Sequence, residues 1–271
     1  MDSRARRYVT LEGYAVEGGL DGPYQPATSY RPTIALGRHA GPGDALGLWH
    51  EYEQVLDLAA TLGVDGVRLS VEWARIEPRK GEVDAAALER YAQVASYATS
   101  LGLGVTGVIV DAAWPAWLGL EAWLLPWVVG HVIEQSRRVV ATIDALSGVV
   151  IFASVEELVT GGYVESSSPP WRRAARIDAA LARKQIDEIL VVLRADPIVG
   201  AKLVTSTRTV SLARPAGDVA ATLRDATDVD EVYLRSLVRG RGPTQSPVGL
   251  LTRGEAGWRI DASDELLEAL H

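Results

Sequence analysis

Short, nearly continuous apolar runs alternate with amphipathic stretches of helical period over the first three quarters of the chain, and this limits the fold most. The runs are "YVTLEGYAV" (8–16), "VDGVRLSVEW" (64–73), "LGVTGVIV" (103–110), "VVIFAS" (149–154) and "IVGAKLVTS" (198–206). Between them lie "LWHEYEQVLDLAATLG" (48–63), "AAALERYAQVASYATSLG" (85–102), a segment from about Pro126 to Leu146, and "RRAARIDAALARKQIDEILVVLRA" (172–195). Gly63 and Gly102 stand where helices stop, Asp84 stands where one should be capped, and Pro197 follows another. Residues 20–47 are Gly- and Pro-rich and read as loop.

Strands apolar on both faces, alternating with helices, imply a parallel sheet covered by helices. For 271 residues the leading architecture is α/β, a single-domain (β/α)8 TIM barrel. An open doubly wound sheet is the alternative, weakened because no Gly-rich phosphate loop follows the first strand. Beyond about residue 208 the pattern fades. "DEVYLRSL" (230–237) and "SPVGLLT" (246–252) are candidate sixth and seventh strands, and "SDELLEALH" (263–271) a closing helix.

Composition excludes several classes. Hydrophobic residues make up 48% of the chain, too many for a disordered protein. A formal charge of −8 without a long basic run argues against a nucleic-acid partner. With no cysteine there are no disulfides or thiolate metal sites, and a cytoplasmic location is the expectation. The N-terminus lacks the apolar core of a secretory signal, and "AWLLPWVVGHVI" is too short to span a bilayer. His39, His50, His131 and His271 have no metal-ligand spacing. No cofactor is expected. An unpaired strand edge in an incomplete barrel would favour a homodimer.

The segment "FASVEELVTGGY" (152–163) places Glu156 and Glu157 side by side where the fourth strand should end. Buried charge is costly unless paired or used, and the C-terminal strand ends of such barrels form the active-site face. The acids could instead begin a helix, where they suit its dipole. An Asp111–Glu156–Glu157 site for a hard cation is a further alternative.

The run from His50 to Tyr91 resembles the glycoside hydrolase family 1 β-glucosidases. "LGVDGVRLSVEWARIEP" is similar to that family's LGV-x-x-x-RFSISWSRI-x-P signature, and "YAVEGGLDG" to its YQ-I/V-EGA…DG segment. "DAAWPAWL" resembles HW-D-x-P-x-WL, and "FASVEELVTGGY" resembles W-x-T-x-NEP…GY. The family's chains are much longer, so the resemblance implies a trimmed barrel. It also implies a retaining glycosidase with two glutamates about 5 Å apart, one acid/base and one nucleophile. Glu157 falls on the acid/base position. Arg68 falls on the arginine that supports the nucleophile.

The departures are chemical. Ala15 replaces the family's sugar-binding Gln, Asp111 its His, and Glu156 the Asn before the acid, so a neutral, amphiprotic pocket becomes acidic. The nucleophile's segment has only a loose echo in "PVGLLTRGEAG", with Arg253 on the nucleophile's position and Glu255 two residues on. Arginine cannot attack an anomeric carbon. Arg68 would then pair bidentately with Asp111, Glu156 or Glu157, and the excess acid should carry a raised pKa. Glu17, Trp73, Trp114 and Arg235 complete the candidate substrate-binding set with Arg68, Ala15, Arg253 and Glu255. Trp73, Trp114, Trp117, Trp123 and Trp127 could stack on a ligand or simply pack. The readings are three: a divergent glycosidase with Glu157, Glu156 and Asp111 as catalytic acids; a repurposed non-hydrolytic enzyme acting on a hydrophobic metabolite; or an inactive barrel that binds a ligand or a protein.

Overall fold

A computed structural model describes residues 8–203 in full and the backbone of 249–254 and 257–262. The chain divides into two compact units, Met1–Arg208 and Thr209–His271. In the first unit, strands β1 (Tyr8–Leu11), β2 (Gly66–Ser70), β3 (Gly104–Val110) and β4 (Leu146–Phe152) form a parallel sheet in chain order. The register brings Thr10 beside Arg68 and Arg68 beside Thr106.

Helices α1 (Gly13–Val16), α2 (Arg31–Ala35) and α3 (Leu48–Thr61) precede β2. Helices α4 (Trp73–Ile76) and α5 (Ala85–Ser100) link β2 to β3, and α6 (Val128–Thr142) links β3 to β4. A π-helical segment (Glu157–Glu165) and α7 (Arg176–Ala195) follow.

Each crossover needs an apolar helix face, and the sequence supplies it. In α5 that face is Ala87, Leu88, Tyr91, Val94, Ala95 and Ala98. Asp84 caps α5 by accepting from the Ala87 amide at 3.0 Å. The helix stops where Gly102 takes a φ of 81°, open to glycine without strain. Val105, Val108, Ile109 and Val110 of β3, and Val149, Val150, Ile151 and Phe152 of β4, are all buried. Fully burying a side chain of this kind contributes about 1.5–3 kcal/mol. No helix among the described residues is long and apolar enough to cross a membrane.

Three expectations are corrected. The first strand ends at Leu11 rather than residue 16, because Gly13 opens α1 beneath the Glu72 side chain. A Cβ at residue 13 would lie 2.4 Å from Glu72 Cγ. The expected strand over 198–206 begins as a turn, since the Asp196 carboxylate accepts from the amides of Ile198 and Val199, each at 2.9 Å. Only then does Leu203 make a parallel bridge to Val149. The segment taken for a seventh parallel strand is β5 (Gly249–Gly254), paired antiparallel with β6 (Gly257–Ala262). Two residues between flanking glycines is a hairpin signal, and it overrides the parallel reading. The candidate strand at 230–237 and the closing helix at 263–271 lie outside the described residues.

Candidate active site

Parallel strands run the same way, so residues just past their C-terminal ends lie toward one face of the sheet's end. Each of the four strands delivers a carboxyl there: Glu12 after β1, Glu72 after β2, Asp111 after β3 and Glu157 beyond β4. Asp111, Ala112, Trp114, Glu157, Leu158 and Pro169 are among the residues that line a cleft of about 290 Å3, counting its open mouth.

The cleft wall depends on two adjacent glycines. A Cβ on Gly161 would come within 2.9 Å of the Ser167 and Ser168 hydroxyls, and one on Gly162 within 2.5 Å of the Pro169 carbonyl. Their absence lets residues 166–170 close over the π-helical segment, where Ser168 Oγ donates to the Glu157 carbonyl at 2.8 Å. The Glu157 amide donates to Ser154 Oγ at 3.1 Å, leaving the exposed side chain to face the cleft. Glu156 does not line it. Its carboxylate accepts from Thr160 Oγ1 at 3.1 Å.

Asp111 accepts a hydrogen bond from Ser70 Oγ. Burial pushes its pKa up, and the Ser70 hydroxyl, the Arg68 guanidinium and the Ala112 amide pull it partly back. Glu12 is raised by burial, then by Asp111 and Glu157. Glu72 is only 2% exposed, and burial with Glu17, Asp111 and Glu12 nearby lifts its pKa well above the ordinary 4.5. The expected bidentate pair of Arg68 does not form. Among the described residues its Nε and Nη2 are buried with no hydrogen-bond partner, so it acts on Asp111 through space.

Other candidates sit elsewhere. Ala15 is exposed on α1. Glu17 is committed to other side chains: it takes Arg75 Nε at 2.7 Å and the Tyr91 hydroxyl at 2.8 and 2.9 Å. Trp73 is buried and donates to Glu77 at 3.1 Å, whereas Trp114 both packs on Trp123 and lines the cleft. Trp117 donates to the Glu77 carbonyl, and Trp127 is partly exposed near Lys80. Arg235 and Glu255 lie outside the described residues. Arg253 is described only as backbone, opposite Trp258 in the hairpin. Among the described residues no three His, Asp or Glu side chains gather closely enough to hold a metal ion.

Sequence reasoning passed over Glu12 and Glu72. Glu72 had a signal, since it stands on the second serine of the family's RFSISW motif. It also passed over an aromatic group beside the acids. Tyr14 stacks on Tyr30 at 4.4 Å, and Trp171 meets Tyr30 edge-on at 5.3 Å. Burial, then the charges of Glu157, Glu12, Glu72 and Asp111, raise the Tyr30 pKa, so its phenol shares their field.

No family model matches the chain. Over 112 residues it is 29% identical to the rice (Oryza sativa subsp. japonica) protein "Beta-glucosidase-like SFR2, chloroplastic", covering 39% of this chain and 17% of that one. Among solved structures, a β-glycosidase from Pyrococcus horikoshii superposes with a TM-score of 0.73 at 16% identity, over 96% of this chain and 66% of its own. The virulence factor SghA, in complex with its substrate analogue salicin, superposes with a TM-score of 0.71 at 18% identity, over 87% and 55%. The chain therefore spans under two thirds of each of these proteins. In its quoted motifs and its fold of parallel β/α units, the chain is similar to, and divergent from, the glycoside hydrolase family 1 β-glycosidases.

Proposed function

We propose that the protein is a glycosidase-like enzyme with an acidic pocket, in which Glu157 performs acid/base chemistry on a glycoside or glycoside-like small molecule. The observation that carries this is the pairing of Glu157 and Asp111 on one cleft at the strand tips. Salicin, the analogue bound by SghA, fits the same substrate class. Glu157 exchanges a proton with the leaving oxygen, and Asp111, held by Ser70, supplies the second carboxyl. Glu156 supports the segment from its bond to Thr160 rather than meeting substrate. In this reading the standard nucleophile is lost, with Arg253 standing in its place, and a non-hydrolytic proton transfer is the second outcome. The apolar walls of the cleft, Trp114, Leu158 and Pro169, suit a hydrophobic metabolite for that case.

The test is turnover of a panel of aryl glycosides by the intact chain and by Glu157→Gln. A loss of about 10²–10⁴-fold in kcat, with binding retained, is the expected result. Turnover unchanged in Glu157→Gln removes that residue from the mechanism. We extend the proposal to a cytosolic homodimer, in keeping with a cysteine-free chain; light scattering at twice the chain mass checks the dimer.

A further inference from the structure

Helix α7 buries one face and leaves the other bare. Ala179, Ala182, Ile186, Ile189 and Leu193 are buried. On the opposite face Ile177 is 77% exposed, Leu181 53% and Val191 59%, with Val192 beside them. A surface helix turns polar residues outward, so three large apolar side chains on the outer face need a reason.

Their spacing supplies one. Ile177, Leu181, Lys184, Glu188, Val191 and Ala195, all exposed, follow one another at intervals of 4, 3, 4, 3 and 4 residues. That is the heptad spacing on which two helices wind together. A two-fold axis level with Ile186 would set Lys184 beside Glu188 of a second copy, since each lies two residues from it. Leu181 and Val191, each five residues away, meet in the next layer, and Ile177 and Ala195, each nine away, in the last. The stripe is thus its own complement, apolar against apolar and lysine against glutamate twice over. A parallel pairing would instead set Lys184 on Lys184 and Glu188 on Glu188, like charge on like, so the charges select the antiparallel register. Within one helix Lys184 lies 3.8 Å from Glu188, but with the lysine first, the weaker order for such a pair.

We propose that the outer face of α7 is the surface on which two copies of this chain pair, antiparallel about a two-fold axis level with Ile186. This rests on the homodimer put forward above and gives it α7, not a strand edge, as its interface; glycoside chemistry does not enter. The helix has 20 residues and spans about 30 Å. One helix pair is at the small end of specific interfaces, so the dimer is reversible, with a micromolar dissociation constant.

The experiment is sedimentation equilibrium of the intact chain from about 1 to about 300 μM, with circular dichroism to establish folding. The parent chain should pass from monomer to dimer over this range. Leu181→Asp and Val191→Lys should each weaken the dimer at least about tenfold, since each sets an unpaired charge against an apolar side chain. Mixed in equal amounts, the two variants should dimerise again, because the acid introduced on one chain meets the base introduced on the other and the second Leu181–Val191 layer stays intact. Residues 181 and 191 are about 15 Å apart along one helix, so this recovery reads pairing between chains alone. If either variant fails to fold, Lys184→Glu should weaken the dimer and Lys184→Glu/Glu188→Lys should restore it. A chain that stays monomeric throughout leaves the face to a different protein and overturns this proposal and the homodimer together. A dimer indifferent to these substitutions, or variants that stay apart when mixed, overturns the α7 interface and keeps the homodimer.

Discussion

Glu17 and Glu72 are both almost wholly buried, 1% and 2% exposed, and they lie close enough to perturb one another. Yet they have opposite surroundings. Glu17 is held by a guanidinium and a phenol, and that guanidinium is clamped by the Gly18 carbonyl and by Trp49, whose ring centre lies 4.2 Å from its carbon. Among the described residues, no donor meets the Glu72 carboxyl. The difference separates a completed buried pair from an incomplete buried carboxyl. A buried charge whose bonds are complete joins elements distant in sequence, here α1, α4 and α5. A buried charge whose bonds are incomplete weakens the fold unless something outside the chain completes it.

The largest effect should come from breaking the complete member. Arg75→Met removes the cation that, among the described residues, bonds Glu17, and leaves its carboxylate in the core. Breaking a buried pair from one side costs about 3–5 kcal/mol. Urea unfolding should show that loss, with Arg75→Met/Glu17→Gln recovering much of it because the stranded charge is gone. If Arg75→Met is as stable as the parent chain, the pair is no strut and the contrast with Glu72 collapses.

The incomplete member should show itself through pH. The folded-state pKa of Glu72 lies well above 4.5, so above about pH 4.5 the folded chain keeps a proton that the unfolded chain releases. Stability then falls as pH rises towards the folded-state value, by up to about 1.4 kcal/mol per pH unit for one proton. Glu12, Glu17 and Asp111 are also raised and add slopes of the same sign. Glu72→Gln cannot titrate, so its unfolding midpoints between about pH 5 and 7 should decline less steeply than the parent's. Parallel declines would mean that Glu72 titrates normally in the folded chain.

The fold and the strand-tip carboxyls were not equally legible in the sequence. Strands β1 to β4 and their helices declare themselves through apolar periodicity, because burial on two faces leaves β3 and β4 almost wholly apolar, with Thr106 and Ser147 the polar exceptions. Caps and stops are equally local, as at Gly63 and Gly102. Asp111 and Glu157 were found because their neighbours match a known pattern. Glu72 was missed because it lies inside the best-matching stretch, where a single exchange of serine for glutamate is easily passed over. The partners of Arg68 could not be read at all. Whether a guanidinium reaches a carboxylate depends on side-chain direction, which the spacing of residues along separate strands does not encode. The Asp196 turn and the 249–262 hairpin carried clear local signals, an Asp-Pro turn and two flanking glycines, and the expectation of another parallel strand outweighed both.

The smallest effect belongs to a carboxyl that is complete but local. Asp84 meets the Ala87 amide at 3.0 Å at the start of α5, in contact with solvent, and its role follows from three residues of sequence. Asp84→Ala exposes an amide that water can reach, so the loss should be about 1 kcal/mol, at the middle of the range for such caps. Asp84→Asn should restore most of it, since an amide oxygen accepts the same bond. A loss as large as that of Arg75→Met would place Asp84 with the buried struts. Hydrogen exchange at the amides of Ala85–Ala87 gives the finer reading, because a local cap should speed exchange in that first turn and leave β2 and β3 as protected as before.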